Sequence, residues 1–523
     1  MKICVLHRKE DSYAGAIVAS AMCRSFSSSQ VERRLYGELP GLPEGAVLIN
    51  PGERERKLLA RLLASGRKVA VFGNIEGSVS RDLGLCSGPL SQELKAHGQV
   101  EIDPALPFNA TRLAVYYEAD HPLGQYAAPN PRHLTRYDFT DEWNNMGYGR
   151  ITVDNGNGPW SVCCRAEPNG ASPVARLKTT GNEQFGLYAA MLDTPSASAL
   201  WYNRQVGPVD SLEWHVVEAF FGDYRHEELS CFPYLSELPF GFEGGATMRL
   251  DCDQAISSAS PLFRLYSDRG LPFSMAITTG LKMNGKDMGL LRDVASLDKG
   301  ALLSHSHNHY PDWGGDYEAA LNEATDSREW LEKNVPGAAP VRYAVSPFHQ
   351  NPHFAVRAMA DSGYEGFIGG TIKNDPEFLL GRAGRVPFVE KPIVSHSQQC
   401  MLHGDCFHRQ GNSINSYKES FRNHLRAGAI FGYTDHPLSE QYQYGWTSER
   451  ERIAVHEELI EFIESHQGIW WCSTNECLDF IAALNRTSVY VDEGGELNSE
   501  CGRAQDGLPP LSILWKGECF EAR

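Results

Sequence analysis

The sequence has no run of about 18 apolar residues, the length a helix needs to cross a bilayer, so no transmembrane segment is expected. None of its 13 cysteines forms a C-x-x-C, Cys163 and Cys164 are adjacent, and the count is odd. That excludes a disulfide framework and points to cytosolic thiols. No cluster of Lys and Arg with interleaved aromatics stands out, and the formal net charge is −18. Nucleic acid is thereby excluded as a partner, because its phosphates would be repelled. There is no G-x-G-x-x-G and no P-loop, so the usual phosphate-binding fingerprints are missing. Met1 to Asp11 holds only Ile3, Cys4, Val5 and Leu6 as an apolar run before charges return. This is too short for a signal-peptide core and reads as a buried strand, with a cytoplasmic location expected. What is present is an ordinary globular composition, 42% hydrophobic and 22% charged. At about 150 residues per domain, 523 residues suggest two to four domains.

The stretch from Thr247 to His309 organises the chain. Met248 and Leu250 lead into Asp251 and Asp253, and Ala301, Leu302 and Leu303 lead into His305 and His309. Between them lie a helical pattern from Pro261 to Asp268, an apolar run from Phe273 to Thr278 and a second helical pattern from Met288 to Asp298. That is the strand–helix grammar of a parallel α/β layer, whose catalytic groups sit at the carboxyl ends of strands. His305 and His309 are four apart, so one helical turn would put both imidazoles on one side. Two His and one carboxylate are a common ligand set for a catalytic divalent metal. Asp251 and Asp253 share a strand face; one of them binds the metal and the other takes a proton from water. Each motif alone also fits a solvated loop; their joint placement at two strand ends favours the metal.

His305-Ser306-His307-Asn308-His309 fits the H-S-x-x-H motif of the NodB-type polysaccharide deacetylases, the family 4 carbohydrate esterases and their relatives. Leu250-Asp251-Cys252-Asp253 looks like their first motif in a spaced D-x-D form. The resemblance spans roughly residues 246 to 485. It implies that Asp251 is the base and that Asp253, His305 and His309 hold a divalent metal, with zinc the expected ion. Val345-Ser346-Pro347-Phe348 occupies the place of the family's R-P-P-Y, which implies an oxyanion contact from the backbone N–H of Phe348. Val345 stands where members carry the Arg that orients the base, and Arg342 and Arg385 are the candidate replacements. Asp435-His436-Pro437 resembles the late motif of the general acid, which implies that role for His436.

The implied reaction is hydrolysis of an N-acetyl or related acyl amide. With no leader in view, the expected substrate is an intracellular N-acetylated sugar, a nucleotide sugar or a lipid-linked glycan, as in O-antigen, lipopolysaccharide or capsule assembly. The alternatives are a catalytically impaired glycan-binding or scaffold protein, favoured by the missing Arg, and a deacylase of a small non-sugar amide.

The expected fold class is α/β. Residues 1–105 read as a Rossmann-like or flavodoxin-like domain of alternating strands and helices. Phe72-Gly73-Asn74 sits where a glutamine-amidotransferase-like elbow would carry a nucleophilic Cys, and none is present. The turn from Arg8 to Tyr13 is a candidate anion site at a helix start, weighed against a plain support domain. Residues 106–245 are a β-rich middle segment and linker, either an insertion or the second half of the first domain. Its Trp143 and Trp160 are candidates for stacking on sugar rings or for the core. Residues 246–485 form a distorted (β/α)7 barrel, with a strand expected over Gly384–Ile393. The segment from Cys400 to His408 is either a substrate-covering loop or a second metal site. Residues 486–523 are a β appendage expected to pack on another domain or to join a homo-oligomer.

Overall fold

The computed structural model describes residues 1–75, 77–97, 113–128, 130–133, 162–179, 181–204, 211–369, 383–387, 389–397, 400–501 and 507–522. Trp143 and Trp160 lie outside them. The molecule is mixed α/β with two large sheets.

The first sheet has nine strands. Ile3–His7 lies between Val31–Leu35 and Gly45–Ile49, and Lys68–Phe72 and Ser198–Tyr202 continue the parallel set. Gln184–Asp193, Ser172–Thr179, Leu113–Tyr117 and Arg132–His133 then add antiparallel strands. Strands from both sides of residue 105 therefore share one sheet. Short apolar strands such as Gly45–Ile49 are buried throughout, as parallel strands covered on both faces must be. Gly73 has φ +106, and a Cβ there would meet Asn50 Oδ1 at 1.9 Å. That oxygen instead accepts from the Asn74 N–H at 3.1 Å, so the turn after this strand is closed by asparagine. Arg8, in the candidate anion turn, is paired with Glu55.

The second sheet has ten strands. Gly244–Cys252 is central and pairs in parallel with Phe273–Ile277, Ile430–Asp435 and Ile469–Cys472. Gly300–Ser304, Tyr343–Val345, Gly366–Gly369 and Val394–Ser397 extend it, also in parallel. Two short strands, Cys400–Met401 and Gly384–Arg385, end the two sides of the sheet and are not paired with each other. The strand expected over residues 384–393 is broken instead. It pairs at Gly384–Arg385 and resumes at Val394, because Pro387 and Pro392 have no N–H to donate to a ladder.

Alternation sorts the two faces. Met248, Leu250, Cys252, Met275, Ile277, Leu302, Ala344 and Phe367 share one core with the helices Ser260–Asp268, Gly285–Ser296, Tyr317–Asn334, His353–Asp361, Asn415–Arg426 and Glu449–Glu464. The opposite face presents Ala276, Ala301, Leu303, Tyr343, Val345 and Ile368, and packs on Cys477, Leu478 and Ile481 of the helix Thr474–Arg486. Ser473 and Glu476 close a reciprocal capping box at its start, which satisfies two orphan N–H groups. This last helix fills the lower part of the face that carries Arg249 and Asp251 higher up. The appendage is used within the chain: Ser512–Trp515 pairs with Tyr234–Leu235, and Ser488–Val491 lies against the first helix, with the Val489 N–H donating to Ser27 Oγ at 3.3 Å.

One buried histidine here makes a stability prediction. His424 is 4% exposed, and its Nδ1 donates to the Ser420 carbonyl at 2.7 Å. Burial pushes its pKa down to about 4. The unfolded chain therefore binds a proton there below about pH 6.5 that the folded chain refuses. The stability that His424 contributes is complete above pH 6.5 and is lost as pH falls toward 4, at about 1.4 kcal/mol per unit. Denaturant titrations at pH 7, 6 and 5 should show a shallower pH slope for His424→Leu than for the wild type. Equal slopes would show that another group sets it.

Candidate active site

Arg249 and Asp251 lie on the Gly244–Cys252 strand, and Asp253 lies just past its end. His305 follows Gly300–Ser304, Phe348 follows Tyr343–Val345, and His436 follows Ile430–Asp435. All four strands run the same way, so their carboxyl ends gather these side chains on one rim.

Asp253, His305 and His309 converge. His305 Nε2 is 3.1 Å from Asp253 Oδ1 and 3.1 Å from His309 Nε2, and His309 Nε2 is 3.4 Å from Asp253 Oδ1. His305 Nδ1 is 3.0 Å from the Val345 carbonyl. A carbonyl only accepts, so Nδ1 carries the proton and Nε2 turns its lone pair inward. Asp253 Oδ1 is buried and receives no hydrogen bond. Burial pushes the His309 imidazole down to about 4, with His305 adding to the effect, so it is neutral near pH 7. Burial would also lower the His305 pKa, but the neighbouring Asp251 and Asp253 carboxylates outweigh it and raise it. Two imidazole nitrogens and a carboxylate oxygen aimed at one point are a donor set that fits a divalent cation. The edges of the triangle are close to the roughly 3.3 Å between ligands 2.0–2.1 Å from a tetrahedral zinc.

The two histidines do not meet by a helical turn, as their spacing suggested. Residues 305–309 form a tight non-helical bend, with φ +62 at Ser306 and +58 at His309. Glu323, from the helix behind, holds the bend. Its carboxylate accepts from the backbone N–H groups of His307 and Asn308 at 3.0 and 2.7 Å and from Asn308 Nδ2 at 2.6 Å. Losing such an outer support typically costs 10–100-fold in metal affinity. Glu323→Ala should therefore bind metal about that much more weakly, as read by competition with a chromogenic chelator. Unchanged affinity would show that the bend holds itself.

Asp251 is gripped by Arg249 of its own strand. Its Nε and Nη2 donate to Asp251 Oδ1 and Oδ2 at 2.6 and 2.9 Å, with both residues 1% exposed. Against the cost of burial, Arg249 first and then His305 hold the Asp251 carboxyl well below the usual range. Neither expected substitute does this. Arg342 is paired with Asp479 at 2.6 Å, and Arg385 is exposed on the short strand at the far side of the sheet. The alternation of strand residues was the available signal: Arg249 is two before Asp251 and shares its face.

His436 Nε2 is 3.6 Å from Asp253 Oδ2, and its ring lies against Tyr444 with centroids 4.1 Å apart and planes at 18°. Tyr444 Oη donates to the same Asp253 Oδ2 at 3.1 Å. Asp435 does not face the metal triad. It accepts from Arg452 Nε at 2.7 Å, His456 Nε2 at 3.0 Å, Trp446 Nε1 at 3.3 Å and the His436 N–H at 2.7 Å. Phe348 has φ +51 and is exposed, and its ring is 4.6 Å from that of His309. His349 beside it is buried, and its pKa is pushed to about 3 by burial and then by the Arg249 charge.

The stretch from Cys400 to His408 is not an open loop. Cys400–Met401 is a strand and Gly404–Arg409 a helix. His403 between them is buried, with Nε2 2.8 Å from His436 Nδ1. A cavity of about 350 Å³ is lined by Gln254, which follows Asp253 in the chain, and by Ile256, Lys282, Met283, Asn284 and Gln441.

No protein-family model matches the chain, and no curated protein matches it. Among solved structures it is similar to Agd3, described as a carbohydrate deacetylase, with 8% identity, 98% of this chain and 93% of that one covered, and a TM-score of 0.43. It is also similar to the chitin deacetylase of Colletotrichum lindemuthianum, with 12% identity, 46% and 92% covered, and a TM-score of 0.31. A family 4 carbohydrate esterase from Streptomyces lividans gives 13% identity, 45% and 93% covered, and a TM-score of 0.28.

Proposed function

We propose that this protein is a metal-dependent amide hydrolase that removes an N-acetyl group from a sugar or glycan. The convergence of Asp253 Oδ1, His305 Nε2 and His309 Nε2 within 3.1–3.4 Å carries the reading. A divalent ion held there supplies Lewis acidity and a lowered pKa for water. Asp251, ionised and fixed by both nitrogens of Arg249, accepts the proton of the attacking water; each carboxylate oxygen keeps a second lone pair for it. The Phe348 N–H donates to the developing oxyanion. His436, with Nε2 toward the triad, gives a proton to the leaving amine. The 350 Å³ cavity, lined by Gln254, Asn284, Gln441, Lys282 and Asp287 together with Ile256, Leu281 and Met283, lies within the size range of small-ligand sites. The scaffold reading rested on the missing Arg, and Arg249 removes that reason. Zinc is the proposed ion, and a nucleotide sugar or lipid-linked precursor the proposed form of substrate.

The test is elemental analysis of the purified protein and acetate release from a panel of N-acetylated sugars. One equivalent of a divalent metal and acetate release that stops with a chelator are expected. Metal content unchanged in the His305→Ala, His309→Ala double variant would end the reading.

A further inference from the structure

His403 stands outside every motif that marked the site, yet it lies within hydrogen-bond reach of the His436 ring. Its Nε2 is 2.8 Å from His436 Nδ1, with ring centroids 4.8 Å apart. The place of His403 is fixed from several sides. The Leu402 N–H donates to the Thr434 carbonyl at 2.7 Å, and the Gly404 N–H donates to the Tyr444 carbonyl at 2.9 Å. A Cβ on Gly404 would meet the backbone of Gly445 and Trp446 at 2.2 Å, so the two chain segments press together at this point. The Tyr444 ring lies near both imidazoles, 5.3 Å from His403 and 4.1 Å from His436.

A histidine that gives up a proton from one nitrogen needs the other nitrogen held by a partner that sets its tautomer and direction. A carboxylate usually does this, and Asp435 is next in sequence. Its two oxygens accept from Arg452, His456, Trp446 and the His436 backbone N–H, so its carboxylate is committed to those four groups. Building on the proposed function, we infer that His403 is the positioning residue for the general acid His436. Its Nε2 accepts the His436 Nδ1–H and so keeps Nε2 of His436 as the nitrogen that faces the leaving group. Burial favours the neutral form of His403, which is the form able to accept. In the acid step His436 starts as the imidazolium; as the C–N bond to the amine breaks, its Nε2 proton passes to the departing nitrogen, and the ring is left neutral with Nδ1–H still donated to His403.

The test uses the full chain and two acyl substrates. An N-acetylated amino-sugar oligosaccharide has an amine leaving group that needs a proton, and p-nitrophenyl acetate has one that does not. His403→Phe should lower kcat on the amide about 10²-fold, at the low end for acid–base catalysis, with KM within about twofold. On the aryl ester it should lose less than about threefold. His403→Gln, whose amide oxygen reaches where Nε2 was, should restore part of the amide rate, and metal content should stay at one equivalent throughout. In a His436→Ala background, His403→Phe should add nothing.

Equal losses on both substrates, or full additivity with His436→Ala, would overturn the role. So would a second metal ion per chain that disappears with His403. If the wild type cleaves neither substrate, the hydrolase reading falls. The hydrogen bond is then judged by histidine-selective 15N labelling. A downfield His436 Nδ1–H resonance lost in His403→Phe supports the pair, and one unchanged overturns it.

Discussion

Asp251→Asn is expected to keep the bound metal, with a lowered denaturation midpoint because the buried Arg249 charge loses its partner, while acetate release falls 10²–10⁴-fold, the usual loss for a general base. The expectation follows from how differently the two aspartates are used. Both oxygens of Asp251 face Arg249 at 2.6 and 2.9 Å, whereas it is Asp253 that lies against His305 and His309. Asparagine at 251 keeps one acceptor for the guanidinium and loses the charge that takes the proton. Asp253 touches both metal-triad histidines and also His436 and Tyr444. Asp253→Asn should therefore lose metal, and with it all turnover. Paired measurements of metal content and kcat separate the two. Metal loss in Asp251→Asn with metal retained in Asp253→Asn would exchange the roles of the two residues.

Much of this site was legible in the sequence because strand ends and fixed spacings carry it. Asp251, Asp253, His305, His309 and His436 each follow a short apolar run, and such runs predict where parallel strands stop. What stayed hidden came from distant segments. Glu323 reaches the His305–His309 bend from a helix whose sequence reads as an ordinary amphipathic surface. His403 meets His436 across 33 positions, through a packed contact at Gly404 that no local pattern announces. The helical turn expected for His305 and His309 failed for a local reason. Ser306 and His309 both adopt positive φ, which side chains rarely do without outside support, and Glu323 supplies that support. In the first half, alternation gave the strands, but order within a sheet depends on long-range pairing. The joining of Lys68–Phe72 to Ser198–Tyr202 spans more than a hundred residues and had no signature to read.

The Arg249–Asp251 pair makes the largest stability prediction. Both side chains are within 2% of full burial and bonded at two points. Taking one partner from such a pair strands the other charge in the interior, which typically costs about 3–5 kcal/mol. Arg249→Met should therefore shift chemical denaturation by about that much, and should also abolish turnover because Asp251 loses its alignment. Arg249→Lys should not rescue it, because an ammonium cannot reproduce the two parallel N–H contacts of a guanidinium. Replacing both partners is a different matter. Arg249→Met with Asp251→Leu removes two buried charges together and puts apolar side chains of similar volume in their place, which is often neutral for stability. The double variant should thus recover most of the denaturation midpoint while staying inactive. This separates the two roles of the pair: its charges are needed for the reaction, and only their imbalance is costly to the fold. If Arg249→Met unfolds at the wild-type midpoint, or if the double variant falls as far as the single one, the charge of Asp251 is relieved by some other group and Arg249 is not the partner that holds the base.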